Sequence, residues 1–327
     1  MAKRKIDWDS HIGRRLRLRD LHVFSTVVQC GSMAKAAARL GVTQPTVSEA
    51  IADLEHTFGV RLFDRSAQGV EPTMYGDALL RRSIAAFDEL KQSGRDIEFL
   101  ADPTVGELHI GCVETLSATL VPRVLLRFCE RYPRVIVHLD DWTAPAVELP
   151  GLRGRKYDLI MVRLVAPLTD QTLADDMNVE CIFNDQLVIA VGKANRWARR
   201  RKIDIAELAG EPWILAPPDT WNYSRLAEAF KARGLDMPKA SMVSVSVAVR
   251  ARLLAHGKFI AALPSSLLTF NRDHYALKVL PIDLPNPPWP VVIVTLKNRT
   301  LSPMAERFIE CAREVSRSLA GAPRRRS

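Results

Sequence analysis

The feature that most constrains this chain is a set of small, flexible and apolar residues at fixed spacing between two short helical segments. Ala37, Gly41 and Val47 stand four and six residues apart. A helix-turn-helix needs a small residue where its helices touch, a turn residue that tolerates positive φ, and an apolar residue that anchors the second helix. The three positions supply these in order. The spacing alone leaves open an ordinary packing unit of three helices.

Capping residues predict three helices around this spacing. Apolar residues from Leu18 to Val28 recur at three- and four-residue steps, and this first helix ends near Gly31. Ser32 is the predicted N-cap of the second helix and Thr43 that of the third. With its apolar stripe turned inward, the third helix presents an outer face that we expect to enter the major groove of DNA. That face consists of Gln44, Pro45, Ser48, Glu49 and Ala52.

A hairpin and a long helix follow. Residues 61–72 predict two short strands with Arg65 near the tip, where it either reaches DNA phosphate or the minor groove or is a plain surface arginine. From Thr73, a candidate N-cap, a helix is predicted to about Leu100. Its heptad-like seam suits pairing with a second copy of the chain, although packing on its own domain is the alternative. The seam consists of Leu79, Ser83, Ala86, Leu90, Ser93, Ile97 and Leu100.

From Val105 onward, strands alternate with helices, which predicts a parallel α/β domain whose ligands bind beyond the carboxyl ends of the strands. The fold class is therefore α/β, with an N-terminal winged helix-turn-helix and a C-terminal domain of two lobes. The expected boundaries are 16–72 for the DNA-binding domain, 73–101 for the linker helix, and 105–320 for the C-terminal domain. Within the last, the first lobe covers about 105–168 and 277–320, and the second covers about 169–276.

Composition limits the remaining classes. The 327 residues carry a net charge of +9, which makes a polyanionic partner plausible without proving one. The roles of the basic stretch Lys193–Lys202 and of Arg324–Arg326 stay open. Five scattered cysteines and isolated histidines predict no metal site and no cofactor. No membrane-spanning run or secretory signal is evident, so we expect a cytoplasmic protein.

A specific resemblance rests on the run GSMAKAAARLGVTQPTVSEAIADLEHTFGVRLFDR, continued by GVEPTMYGDAL. This run resembles the N-terminal domain of LysR-type transcriptional regulators. The resemblance implies a winged helix-turn-helix that binds operator DNA, a dimerising linker helix, and an effector domain similar to periplasmic binding proteins. It also implies homodimers or homotetramers, with RNA polymerase as a further possible partner. The segments LIMVRL and GVEPT are similar to the subgroup of the galactose-binding-protein regulator.

The resemblance also implies site residues. The expected DNA-binding residues are Ser32, Thr43, Gln44, Pro45, Thr46, Ser48, Glu49 and Arg65. Glu49 departs from a family pattern that has a basic or amide residue there, so it either accepts from a cytosine or turns away. The expected effector contacts, with helix capping or loop packing as alternatives, are Thr115, Leu116, Ser117, Thr143, Trp221, Asn222 and Tyr223. The expected effector is a small molecule, and a sugar, a sugar acid and another organic acid all stay open.

Arg163 ends the predicted strand LIMVRL at the edge where ligands bind. Its paired donors suit a carboxylate or a hydroxyl-rich effector. The alternative is an ion pair with Asp140 or Asp141 on the neighbouring strand.

Three other functions compete with that of an effector-controlled regulator. No nucleophile elbow, zinc-protease motif or nucleotide-binding loop supports an enzyme. A free-standing solute-binding protein would fit the C-terminal pattern but not the N-terminal one. A constitutive regulator with a degenerate cleft would keep DNA binding without sensing.

Overall fold

The computed structural model describes residues 15–66, 69–142, 150–164, 175–270, 275–285 and 288–320, apart from the side chains at 65, 66, 150 and 318–320. The chain forms two compact units, one up to Ser93 and the other from Gly94. No helix in these ranges is long and apolar enough to cross a membrane.

The first unit begins with three helices, α1 (Leu18–Cys30), α2 (Met33–Leu40) and α3 (Gln44–Phe58). The predicted caps are confirmed, because Ser32 Oγ accepts from the Lys35 amide and Thr43 Oγ1 accepts from the Thr46 amide. Gly41 adopts φ 67° in the turn between α2 and α3, a conformation that glycine takes without a steric cost. Ala37 and Val47 are buried, as the helix-turn-helix spacing requires.

A hairpin of β1 (Phe63–Ser66) and β2 (Gly69–Pro72) follows, and then the long helix α4 (Met74–Ala101). At Gly69, next to the hairpin turn, a Cβ would lie 2.7 Å from the carbonyl oxygen of Gly31, so glycine lets the hairpin approach the end of α1 closely. Thr73 Oγ1 accepts from the Gly76 amide, which confirms the predicted N-cap of α4.

The second unit contains two five-stranded sheets with helices around them. The first sheet has the order β4-β3-β5-β12-β6 and the second the order β11-β7-β10-β8-β9. The strands are β3 (Val105–Val113), β4 (Arg134–Trp142), β5 (Leu159–Arg163), β6 (Met177–Asp185), β7 (Leu187–Gly192), β8 (Trp213–Leu215), β9 (Ala240–Val243), β10 (Ile260–Pro264), β11 (Leu277–Val279) and β12 (Trp289–Leu296). The helices are α5 (Glu114–Ser117), α6 (Leu120–Arg131), α7 (Pro150–Arg153), α8 (Trp221–Lys231), α9 (Val247–Ala255), α10 (Ser265–Phe270) and α11 (Pro303–Ala320).

Two sequence expectations need correction. The crossings between lobes come later than predicted, because β6 pairs with β12 in the first sheet and β11 pairs with β7 in the second. The sheets are also mixed rather than parallel, since β12 runs antiparallel to β5 and β6, and β7 runs antiparallel to β10. The reason is that the chain enters each sheet, after crossing from the other lobe, at the end where the neighbouring strand finishes. Thus Trp289 at the start of β12 pairs with Asp185 at the end of β6, and Leu187 at the start of β7 pairs with Pro264 at the end of β10.

Candidate functional sites

The first candidate site is the N-terminal turn of α3. Gln44, Pro45 and Glu49 are exposed there, while Val47 points into the core of the three helices. Thr43 Oγ1 lies 2.9 Å from Thr46 Oγ1, so these two hydroxyl groups form a polar pair at the tip of the helix. The tip therefore presents an amide, hydroxyl groups and backbone donors, which are the groups that proteins use on DNA bases and phosphates.

Two other residues predicted to contact DNA, Ser32 and Ser48, are half-buried and have hydroxyl groups that already form hydrogen bonds. The hydroxyl of Ser48 is half-buried and donates to Met33 Sδ at 3.4 Å. Ser32 is half-buried, and its hydroxyl is used as a cap. Arg65 pairs through its backbone with Val70 in the hairpin, but its side chain lies outside the described part of the structure.

The two halves of the long helix α4 differ in how their apolar side chains are packed. Leu79, Leu80 and Phe87 pack against the core of the DNA-binding unit, as the alternative of packing on its own domain predicts. Farther along, Leu90, Ile97 and Leu100 are 49%, 68% and 80% exposed. The C-terminal half of the seam thus carries apolar side chains that this chain leaves uncovered.

The second candidate site lies where the strands of the two lobes end. Thr115 and Ser117 lie on α5 directly after β3. Ser117 Oγ donates to the carbonyl of Glu114 and, at 2.9 Å, to Asp141 Oδ2. Leu116 is fully buried, and its side chain packs in the first lobe's hydrophobic core. Thr143 lies outside the described residues.

Arg163 is an ion-pair partner at the junction of the lobes. Its Nη2 lies 2.9 Å from Asp185 Oδ2, and it also contacts Ser266 Oγ and the hydroxyl of Thr115. The ion pair that was the alternative to an effector contact is therefore present, but its acid is Asp185, and the partners Asp140 and Asp141 are wrong. They fail because β6 brings Asp185 to the sheet edge beside Arg163, a proximity that sequence spacing does not show.

Asp185 receives hydrogen bonds from several donors around the same junction. Ser265 Oγ, the Ser266 amide and the Gln186 amide donate to Oδ1, while Ser266 Oγ and Arg163 donate to Oδ2. Burial alone would raise the pKa of Asp185, but the charge of Arg163 and the bonds from Ser266 outweigh it and hold that pKa below its ordinary value. The carboxylate joins the end of β6 to the start of α10.

The predicted contacts of the second lobe lie at the start of α8. Trp221 packs edge to face on Trp289 of the first lobe, with ring centroids 5.2 Å apart, so for this residue packing is the observed role. Asn222 and Tyr223 line a small cavity between α8 and the ends of β8 and β10. Its volume of about 10 Å³ corresponds to a single water molecule.

Arg250 lines the same cavity, and the sequence analysis missed it. The side chain is buried, and one Nη donates to the carbonyl of Ala262. Within the described part of the chain, its Nε has no hydrogen-bond partner. Burial lowers the pKa of Arg250 to about 10, so the guanidinium remains charged at neutral pH. An arginine inside the apolar run VAVRARLLA was the available signal.

Glu114 connects the two lobes next to Arg250. Its Oε1 accepts from the Val247 amide at 2.9 Å, the first residue of α9. Burial raises the pKa of Glu114, and its negative charge interacts with Arg250. A carboxylate of this chain therefore lies at a helix N-terminus beside a buried cation, the position that an anionic ligand would favour.

Two of the six basic residues in the stretch Lys193–Lys202 have an acidic partner. Arg196 forms an ion pair with Glu211, and Arg200 forms one with Glu207. Both guanidinium groups also lie over the ring of Trp197. These contacts hold the side chains of Arg196 and Arg200 against the second lobe.

Comparisons with known proteins identify the family. The model described as "LysR substrate binding domain" matches residues 101–317, and the model "Bacterial regulatory helix-turn-helix protein, lysR family" matches residues 18–77. The chain belongs to the LysR family. It is thus a LysR-type, DNA-binding transcriptional regulator with an effector-binding domain, and such regulators form oligomers.

Individual relatives agree with this assignment. The HTH-type transcriptional regulator GbpR of Azospirillum brasilense is 27% identical over 304 residues, which cover 92% of this regulator and 87% of the relative. Full-length OxyR from Pseudomonas aeruginosa, solved as a variant, has a TM-score of 0.62 at 22% identity and covers 92% of this chain and 95% of its own. CbnR in complex with its target DNA has a TM-score of 0.59 at 22% identity, with 92% and 100% covered. Because OxyR and CbnR are each only 22% identical to this chain, their similarity concerns the fold alone.

Proposed function

We propose that this LysR-type regulator recognises its operator with the N-terminal turn of α3. The exposed amide of Gln44, with the hydroxyl groups of Thr43 and Thr46 beside it, supports this placement. Gln44 pairs with an adenine in the major groove, and the hydroxyl groups bind bases or phosphates. Pro45 and Ser48 flank these contacts, and Glu49 accepts from a cytosine.

The test is the ratio of affinities for a preferred duplex and for random duplex DNA. Gln44→Ala should lose about 1–3 kcal/mol of discrimination, the value of one bidentate base contact. Gln29→Ala is the matched control, because Gln29 is an exposed glutamine on α1 of the same unit. If Gln44→Ala keeps the wild-type ratio, Gln44 does not read the operator.

We also propose that two copies pair through the C-terminal half of α4. Leu90, Ile97 and Leu100 would otherwise stay in water, and a pair of chains places two recognition helices on one operator. Arg65 and Ser32 then contact the DNA backbone on either side of α3. RNA polymerase is the expected partner at the promoter, and the cytoplasm, where operator DNA lies, is the expected location.

We further propose that the effector is an organic acid or sugar acid bound between the lobes. The observation that supports this class over a neutral sugar is the buried charge of Arg250, which has a free Nε at a cavity lined by Asn222 and Tyr223. A buried cation without a full set of partners favours an anion. Because the cavity holds about 10 Å³ and its lining residues all belong to the second lobe, the wall around Arg250 must open before such a molecule reaches the guanidinium group.

In this arrangement, Glu114 occupies the effector's place until the effector binds. The acid displaces Glu114 from the α9 N-terminus, while Thr115 and Ser117 supply hydroxyl contacts from the first lobe. Arg163 acts through Asp185 as a positioning residue of the junction, since its Nη atoms are already engaged.

Matched acid and neutral ligands test the proposal. Calorimetry with wild-type protein should detect binding of a sugar acid such as galactonate or of other small carboxylates, but not of the parent sugar. Arg250→Met should abolish that binding, and Arg250→Lys should retain part of it. Binding of the neutral sugar alone, or equal binding of an acid by Arg250→Met, would exclude Arg250 as the anion contact.

A further inference from the structure

Two histidines and a glutamate meet on one face of the first sheet. The parallel pairing of β3 with β4 places His109 directly opposite His138, and Glu107 lies two residues before His109 on the same face. The imidazole rings stack with centroids 4.4 Å apart and an angle of 5° between their planes. The sequence predicts isolated histidines, because only strand register brings these two together.

The donor atoms are close enough for one metal ion. One ring nitrogen of each histidine and one carboxylate oxygen of Glu107 all lie within 4.8 Å of one another. His109 Nε2 is already 3.5 Å from Glu107 Oε2. Ligand atoms around a tetrahedral zinc ion lie about 3.4 Å apart, given metal–ligand distances of about 2.1 Å. Closing the set requires side-chain rotations that move the donor atoms by about an ångström and turn the stacked rings so that both ring nitrogens face the ion.

The surroundings leave room for the ion. The side chain of Glu107 is 54% exposed and that of His109 is 29% exposed, so a hydrated cation reaches the donors from solvent. Asp140, two residues beyond His138, is engaged by Lys156 and Tyr157 and is not one of the three donors. Two imidazoles with one carboxylate suit zinc and its neighbours in the first transition row better than magnesium or calcium, which prefer oxygen ligands only.

We propose that Glu107, His109 and His138 bind a divalent transition-metal ion, with zinc as the best fit. The ion would join the edge strand β4 to β3, and a water molecule would complete its coordination. This site is independent of the effector cleft, because all three ligands lie on the face of the sheet and none contacts Arg250, Glu114 or the junction around Asp185.

Calorimetric titration of the untagged, metal-free full chain with zinc chloride tests the site. We expect one equivalent of zinc per chain for the wild type and at least tenfold weaker binding for His138→Gln, since the loss of even an outer-shell partner costs about 10- to 100-fold. Glu107→Gln should weaken binding to a smaller extent. His256→Gln, which changes an exposed histidine after α9, should bind zinc as the wild type does.

Two further measurements identify the ligands. Cobalt(II) should give visible absorption bands of a low-coordinate nitrogen and oxygen site in the wild type and in His256→Gln, but not in His138→Gln. Zinc should raise the melting temperature of the same two proteins, because an ion that binds only the folded state stabilises it. Absence of zinc uptake by the wild type, or uptake with unchanged affinity in a His138→Gln protein that folds, would overturn the proposal.

Discussion

The ion pair between Arg163 and Asp185 should contribute unequally to stability, depending on which partner is removed. Arg163→Met leaves a buried carboxylate that still receives four hydrogen bonds, from Gln186, Ser265 and Ser266. Asp185→Asn instead leaves a buried guanidinium with uncharged partners only, namely the new amide oxygen and the hydroxyl groups of Thr115 and Ser266.

The expected loss in free energy of unfolding depends on the partners that the remaining charged group retains. Breaking a buried ion pair costs about 3–5 kcal/mol when the remaining charge is uncompensated. We expect this range for Asp185→Asn. For Arg163→Met we expect about 2–3 kcal/mol, because the remaining donors stabilise the carboxylate and the loss is close to that of one charged hydrogen bond. The double variant should lose less stability than the sum of the losses in the two single variants.

Urea denaturation of the full chain measures these free energies of unfolding. Tryptophan fluorescence reports the second unit, which contains Trp142, Trp197, Trp213, Trp221 and Trp289. Since the pKa of Asp185 is held below its ordinary value, its contribution is present above about pH 4 and is lost as the pH falls through the lowered value. The acid-induced loss of stability should therefore be smaller in Asp185→Asn. Losses below about 0.5 kcal/mol, as for ordinary surface positions, or strict additivity, would refute the reasoning.

Three further predictions concern the linker helix, the hairpin and the lobe contact. Replacing both Leu90 and Ile97 by Asp should give monomers in sedimentation and abolish tight operator binding, because half-sites are then bound singly; a dimeric double variant would place the interface elsewhere. Arg65→Ala should weaken binding to all DNA and reduce the slope of log affinity against log salt by about one unit, and an unchanged slope would exclude a phosphate contact. Glu114→Gln keeps the acceptor for the α9 N-terminus but removes a charge beside Arg250, so an acidic effector should bind up to about tenfold more tightly; unchanged affinity in calorimetry would show that Glu114 does not compete with it.

The N-terminal unit follows closely from the sequence because its determinants are local. Ser32, Thr43 and Thr73 cap the helices that their positions predict, and Gly41 takes the turn conformation that only glycine adopts easily. Each of these signals acts within four residues of the structure that it determines. The order of helices, hairpin and linker helix could therefore be predicted residue by residue.

The C-terminal site was less predictable because its contacts join distant segments. The partner of Arg163 is Asp185 rather than Asp140 or Asp141, since the choice depends on which strand lies beside β12 and not on alternation within β5. Arg250 is a candidate because α9 buries it against β10, a contact that the local sequence does not predict. Strand order and burial between lobes leave no short-range signal.

Selection of duplexes from a random DNA pool by the full-length protein tests the central claim, recognition of a specific operator by paired α3 helices, most directly. We expect an enriched sequence with two related half-sites, whose centres lie about 10 base pairs or a multiple of that apart. The protein should bind it at least about a thousandfold more tightly than random DNA at physiological salt. A pool without an enriched sequence, or one enriched in single unpaired half-sites, would contradict the account.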